Sequence, residues 1–333
     1  MIVGPTALSG PTDGIFENMK HFTSIEDAGD PEPLVQQALA FKANGYQPGL
    51  AAGKKVGLIF LNPSLRTRLS AQVAAQNLGA EAVVLDIGKD GWALEFEEGV
   101  VMDSNRSEHI KEAAAVMGRY FDVLGVRSFP GLEDQTLDYS EQLLKSFIRY
   151  AGIPVVSLES ATRHPLQSLA DLVTIREQWQ QERKPKVVLT WAPHIKALPQ
   201  AVPNSFAEWM LGAGMDLCIA QPEGYELSTE FTQGATVMHD QKEALEGADF
   251  VYVKNWSSYA SYGKVLSQDP AWTFSNEHLE VTNNAKVMHC LPVRRGVVIK
   301  DEVLDGPNAI HLEQAENRVW SAQAVFHKLL KEA

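Results

Sequence analysis

Along the chain, short apolar runs alternate with segments whose apolar residues recur every three or four positions. The runs are "KVGLIFLN", "EAVVLDI", "VLGVRSF" and "IPVVSLES" in the first half, then "KVVLTWA", "MDLCIAQP", "ADFVYVKNW", "AKVMHCLPV" and "NAIHL" in the second. Runs that are apolar throughout suit strands of a parallel sheet, which helices cover on both faces. The intervening "RLSAQVAAQNLGAEA", "SEHIKEAAAVMGRYF" and "SEQLLKSFIRYAG" have the spacing of crossover helices. The pattern therefore predicts an α/β protein with two parallel-sheet α/β domains, and 333 residues suit two units of about 150 residues each. The seam is expected between Ser160 and Arg183, around "ATRHPLQSLADLVTIREQW", with the final helix returning to the first half. This gives residues 19–160 with 315–333 as one domain and 161–314 as the other.

In open parallel sheets, ligands bind beyond the carboxyl ends of the strands. The polar clusters fall there: Ser64 to Arg68, Arg127 with Ser128, Arg163 to Gln167, Lys254, and His289 to Arg295. In "FLNPSLRTRLSAQ", Ser64, Arg66 and Thr67 stand at a predicted helix start, where free backbone N–H groups and the helix dipole favour an anion. The same residues read equally as a surface N-terminus with two solvated arginines. His164 and Gln167 lie three apart around Pro165, so both can meet one ligand, although a lone histidine is often structural. "MHCLPVRRG" offers the backbone carbonyls of Cys290 and Leu291 together with Arg294, or simply a turn with surface arginines.

Composition narrows the ligand. With 42 acidic against 29 basic residues and a net charge of -13, the chain lacks the broad basic face that nucleic acid or an anionic membrane requires. An anionic partner must be small and held by a local basic pocket. No apolar run approaches the roughly 20 residues that span a bilayer. Two cysteines, Cys218 and Cys290, without metal-like spacing or a basic leader, predict a cytoplasmic setting and no metal. The opening "MIVGPTALSGPTDGIFEN", rich in Gly, Pro and Thr, reads as a disordered extension or a start set too early, ahead of Met19. Dinucleotide-binding, Walker, Gly-x-Ser-x-Gly and His-Glu-x-x-His motifs are all missing. The residues by themselves reach a two-domain α/β protein that binds a small phosphorylated ligand.

"SLRTR", "HPLQSLADL" and "HCLPVRR", in that order, resemble the carbamoyltransferase family, with its Ser-x-Arg-Thr-Arg, His-Pro-x-Gln and His-Cys-Leu-Pro motifs. The resemblance runs from Met19 to the C-terminus. It implies a carbamoyl-phosphate domain followed by an amino-acid domain, no cofactor, and a homotrimer with active sites between subunits. By motif, Ser64, Leu65, Arg66 and Thr67 would cradle the phosphate, with Arg127 and Arg318 completing the site. Leu65 replaces the threonine usual in the ornithine and aspartate branches, where only the backbone amide is needed. His164 and Gln167 would hold the carbamoyl group, Arg127 and His164 sharing its carbonyl oxygen, and the carbonyls of Cys290 and Leu291 would accept from its amide. The implied catalytic set is Arg66, Arg127, His164 and Gln167.

The acceptor is implied by a departure. Where ornithine-specific members carry an Asp-x-x-x-Ser-Met-Gly segment for the free α-amine, this chain has "VKNWSSYASYGK". Without that aspartate, and with Lys254 nearby, the α-nitrogen of the acceptor is expected to be uncharged, as in an Nα-acylated ornithine whose carboxylates meet Lys254 and Arg294. The pattern is similar to the branch acting on N-acylated ornithines, and "ATRHPLQSLADL" and "WAPHIKALPQAVPNSFAEWM" look more like its succinyl than its acetyl type. The product would then be N-succinylcitrulline, for arginine biosynthesis. Trp92 and the loop "EEGVVMDSNRSEH" would reach a neighbouring subunit's site. Acetyl-specific members carry glutamate at the place of Ser107 and succinyl-specific ones proline; serine matches neither. Glu159 would accept from the acyl or amide nitrogen, Arg163 would offset a second carboxylate, and His194 would line the acyl pocket.

Overall fold

The computed structural model describes residues 19–332. The expected extension over residues 1–18 lies outside them. The strands are β1 (Lys55–Phe60), β2 (Glu81–Asp86), β3 (Leu94–Glu95), β4 (Glu108–His109), β5 (Val123–Arg127), β6 (Val155–Glu159), β7 (Lys186–Trp191), β8 (Asp216–Ala220), β9 (Thr236–Met238), β10 (Phe250–Lys254) and β11 (Lys286–Met288). They form a four-stranded sheet of order β2-β1-β5-β6, a five-stranded sheet of order β11-β10-β7-β8-β9, and a small β3-β4 pair. Every pairing is parallel. Strands β1, β5, β6 and β10 are buried along almost their whole length, as strands covered on both faces must be.

Strand order locates the site. In the first sheet the chain leaves β1 toward β2 on one side and reaches β5 on the other; in the second it leaves β7 toward β8 and returns to β10. At such a reversal the connections diverge and open a crevice beyond the strand ends. Ser64 and Arg66 follow β1, Arg127 ends β5, the 192–199 loop follows β7 and Lys254 ends β10.

Two helices hold the sheets together. Pro165–Gln178 is buried at every position from Pro165 to Ile175, polar ones included, because it packs against β6, Ala201–Gly212, Glu32–Asn44 and the C-terminal helix His311–Glu332. The C-terminal helix lies against Arg66–Asn77, Pro165–Gln178 and Glu32–Asn44. One local expectation fails and one strand is missed. "NAIHL" is not a strand: Asn308 and Ile310 each make one backbone hydrogen bond to Val287, and the helix then begins at His311 and claims the following backbone groups. Strand β9 carries no legible signal, since it is a three-residue edge strand with exposed or half-exposed side chains. Among the described residues no helix is long and apolar enough to cross a membrane.

Candidate active site

The crevice holds a cavity of about 580 Å³. Its walls carry six cationic side chains, Arg66, Arg127, Lys196, Lys254, Arg294 and Arg318, against one carboxylate, Glu159. In an acidic protein such a concentration is costly unless an anion neutralises it. The burial of these groups strengthens the point. Desolvation lowers the pKa of Arg66 and Lys254, and pushes Arg318, which also feels Arg66 and Arg127, down to about 10. An entering phosphate would reverse each of these effects.

One end of the cavity is built by the start of the helix Arg66–Asn77, and the residues beside it are cross-tied. Arg318, one wall of the C-terminal helix, donates from Nη2 to Thr67 Oγ1 at 2.6 Å. Arg127 is buried, stacks over the Phe129 ring with its centroid 4.8 Å away, and makes a tight ion pair with Glu159. Glu159 Oε2 also lies 3.5 Å from His164 Nε2. Burial first, then the positive charges of Arg318 and Arg127, holds the His164 pKa well below the usual imidazole range, so the ring is neutral at pH 7. Leu65 points outward at 68% exposure and faces a neighbouring depression with Pro63, Arg68 and Lys89.

The other end is looser. His194 and Lys196 come from the 192–199 loop, with Leu198, Pro199 and Val202 as its apolar wall. Arg294 is exposed, and its Nε donates to His194 Nε2 at 3.1 Å. Lys254 is buried and donates to the Asn255 carbonyl at 2.8 Å. Cys290 and Leu291 lie between the two ends, on a turn in which Leu291 has φ +58°.

The cavity therefore brings together Ser64, Arg66, Thr67, Arg127, Glu159, His164, Gln167, His194, Lys254, Cys290, Leu291, Arg294 and Arg318. Trp92, Ser107 and Arg163 are elsewhere. Trp92 is 57% exposed and donates from Nε1 to Glu108 Oε2, while Ser107 is exposed at the base of the same loop. Arg163 turns away from the cavity. Its guanidinium bonds to both Glu208 oxygens at 3.2 Å and to Glu230 at 3.0 Å, and stacks over Phe231, so its charge is already matched where it stands. Arg163 is not among the residues that line the cavity, where a ligand carboxylate was expected to meet it.

Residues not singled out from sequence also shape the site. The Glu141 carboxylate accepts from Ser160 Oγ at 2.7 Å, from Thr162 N at 2.8 Å and from Thr162 Oγ1, pinning the loop that delivers His164. Nothing local signals this, because Glu141 is far away in sequence. Lys196 was legible only as the neighbour of His194. Asp171, four residues after Gln167 on the same helix, was not singled out, although helical spacing could have found it; its buried carboxylate accepts from Gln167 Nε2 at 2.8 Å.

Comparison with known proteins agrees with this geometry. Residues 20–177 match the carbamoyl-P binding domain of aspartate/ornithine carbamoyltransferases, and residues 199–329 match the Asp/Orn binding domain. An N-succinylornithine carbamoyltransferase of Bacteroides thetaiotaomicron is 50% identical, over 94% of this chain and 99% of its own length. An N-acetylornithine carbamoyltransferase of Xanthomonas axonopodis pv. citri is 38% identical, over 95% of this chain and 98% of its own. Among solved structures, acetylornithine transcarbamylase complexed with acetylcitrulline has a TM-score of 0.88 at 38% identity, covering 93% of this chain and 99% of its own. A variant of N-acetyl-L-ornithine transcarbamylase complexed with carbamyl phosphate and N-succinyl-L-norvaline matches with the same TM-score, identity and coverage. Two adjoining domain matches and half-identical relatives over nearly the whole length lead to one conclusion: the chain belongs to the aspartate/ornithine carbamoyltransferase family.

Proposed function

We propose that this protein transfers the carbamoyl group of carbamoyl phosphate to the δ-amine of N2-succinyl-L-ornithine, giving N-succinyl-L-citrulline and phosphate in arginine biosynthesis. The observation that carries the reading is the charge of the cavity. Its one carboxylate, Glu159, is tied to Arg127, so among the described residues lining the cavity no carboxylate is left to pair with a cationic α-amine, whereas Lys254, Lys196 and Arg294 stand ready for carboxylates. An Nα-acylated ornithine has no α-ammonium, and a succinyl group adds a second carboxylate for this basic end.

In this reading Ser64, Arg66, Thr67 and Arg318 hold the phosphate. Arg127 and His164 face the carbonyl oxygen, and Gln167 with the carbonyls of Cys290 and Leu291 meets the carbamoyl NH2. The neutral δ-amine attacks the carbamoyl carbon; the C–N bond forms and negative charge moves to the oxygen. Collapse breaks the C–O bond to phosphate, which leaves with the electron pair and takes the amine proton. Catalysis is then positioning and charge stabilisation, with no covalent enzyme intermediate. Domains of residues 19–160 with 315–333 and 161–314 would carry the two substrates, and closure would bring them together. A homotrimer in the cytoplasm completes the reading. The exposed Trp92, Val101 and Met102 on one loop favour a subunit contact there.

The test is carbamoyl transfer by the purified protein to N-succinyl-L-ornithine, N-acetyl-L-ornithine and L-ornithine in parallel. Preference for the succinyl compound is expected. Preference for the acetyl compound would reassign the acyl group, turnover of free ornithine would overturn the charge argument, and no turnover would leave a silent phosphate-binding subunit.

A further inference from the structure

Gln167 lines the cavity through a side-chain amide that offers NH2 on one side and oxygen on the other. Which of them faces the ligand decides whether the site accepts a hydrogen bond or donates one. A chain of three hydrogen bonds makes that choice. It begins at the backbone N–H of His289, which can only donate, to Gln314 Oε1 at 2.8 Å. With its oxygen used, Gln314 must turn Nε2 to Asp171, and it donates to Oδ1 at 2.6 Å. The same Oδ1 accepts from Gln167 Nε2 at 2.8 Å. Asp171 Oδ1 thus accepts from both amides and turns both NH2 groups toward itself, and Gln167 Oε1 remains buried without a partner among the described residues. All three relay residues are fully buried, where a reversed amide would put two donors or two acceptors face to face.

We propose that Asp171 is the positioning residue that fixes Gln167 with its oxygen toward the cavity, so that the site selects a carbamoyl NH2 over the methyl of an acyl phosphate. This rests on carbamoyl phosphate being the cavity's ligand. Asp171 touches no substrate; it acts through Gln167. It also stands between the two sets of acceptors, because Gln314 holds the first residue of the turn that carries the Cys290 and Leu291 carbonyls. An unpaired oxygen aimed at the ligand rejects an analogue without N–H, because that oxygen would then stay desolvated and unmatched.

The test is calorimetric binding of carbamoyl phosphate and of acetyl phosphate, which carries a methyl in place of the NH2, at about pH 8. Wild-type protein should prefer carbamoyl phosphate. Asp171→Leu should lose about ten-fold or more of its carbamoyl phosphate affinity while acetyl phosphate stays within about two-fold, so that discrimination collapses. Asp171→Asn keeps an acceptor oxygen at the Oδ1 position and should retain the preference. Should Asp171→Leu fail to fold, Asp171→Ser, whose short hydroxyl falls away from Gln167, is expected to show the same collapse. Equal weakening of both ligands, or no change in a folded Leu or Ser variant, would overturn the proposal as a purely structural or irrelevant contact. Failure of wild-type protein to bind carbamoyl phosphate would instead sink the functional reading, and the two failures are told apart in the first titration.

Discussion

The two ends of the cavity are built differently. At the phosphate end Thr67, Arg127, His164, Gln167 and Arg318 are all buried, and most are held by a partner from another element: Arg318 by Thr67, Arg127 by Glu159. At the proposed acyl end Lys196 and Arg294 are exposed and His194 is half-buried, with a side-chain hydrogen bond between His194 and Arg294, and Lys254 is the one buried cation, tied to the Asn255 carbonyl. The difference teaches where this protein invests order. Groups that face developing charge must be in place before the reaction, whereas groups that recognise a carboxylate by charge alone tolerate a wet, adjustable setting.

Arg66→Ala should separate the ends most sharply. In the proposed function it removes a cation that faces the phosphate and the charge growing on it, and a loss of ~3 kcal/mol, on the order of a hundred-fold in kcat/KM, is expected. Near-normal turnover at saturating carbamoyl phosphate would break the comparison at its strong end. The buried end should also carry a pH signature. Burial raises the Asp171 pKa from 3.8 to about 7, partly opposed by hydrogen bonds from Gln314 and Gln167 and by the charge of Arg318. Because the folded value lies above the unfolded one, the contribution is fully present below pH 3.8 and is lost as pH rises through about 7. Thermal melts should therefore show Asp171→Asn losing less stability than wild type between those limits, by on the order of a few kcal/mol. Parallel pH profiles would show that Asp171 ionises as freely as in the unfolded chain.

At the open end, Arg294→Ala should raise KM for the acylated ornithine roughly ten-fold, leaving kcat within about two-fold, as expected for uniform binding. A matching fall in kcat would place Arg294 with the reacting groups. Ser107→Glu should shift relative turnover from the succinyl toward the acetyl substrate, by several-fold, through repulsion of the extra carboxylate. Ser107 lies outside this subunit's cavity, so the shift depends on its loop reaching a neighbour's; an unchanged ratio would remove that loop from the acyl pocket. The smallest effect is expected from Arg163→Gln. It should leave acyl preference untouched and cost about 1 kcal/mol of stability, because the half-buried Glu208 loses its partner.

What the sequence determined by itself follows from periodicity and local chemistry. Continuous apolar runs specify buried parallel strands, and polar clusters at their ends mark one side of the molecule as the binding side. The motif residues then fall at the mouths of β1, β5, β6, β10 and β11 because each motif is a strand end and its helix start, a local feature. Gln167 belongs to such a motif, three residues after His164 at the start of the helix that follows β6. What only the tertiary structure decided concerns partners distant along the chain. Arg163 and Arg318 look alike as isolated cations, yet one is spent on Glu208 and Glu230 and the other stands against Thr67, which is 251 positions away. The direction of the Gln167 amide was likewise beyond reach, since the Asp171 carboxylate that sets it is itself held by Gln314 from another helix. Charge and spacing are written locally, but which charges neutralise one another depends on distances that exist only once the sheets and the C-terminal helix have packed.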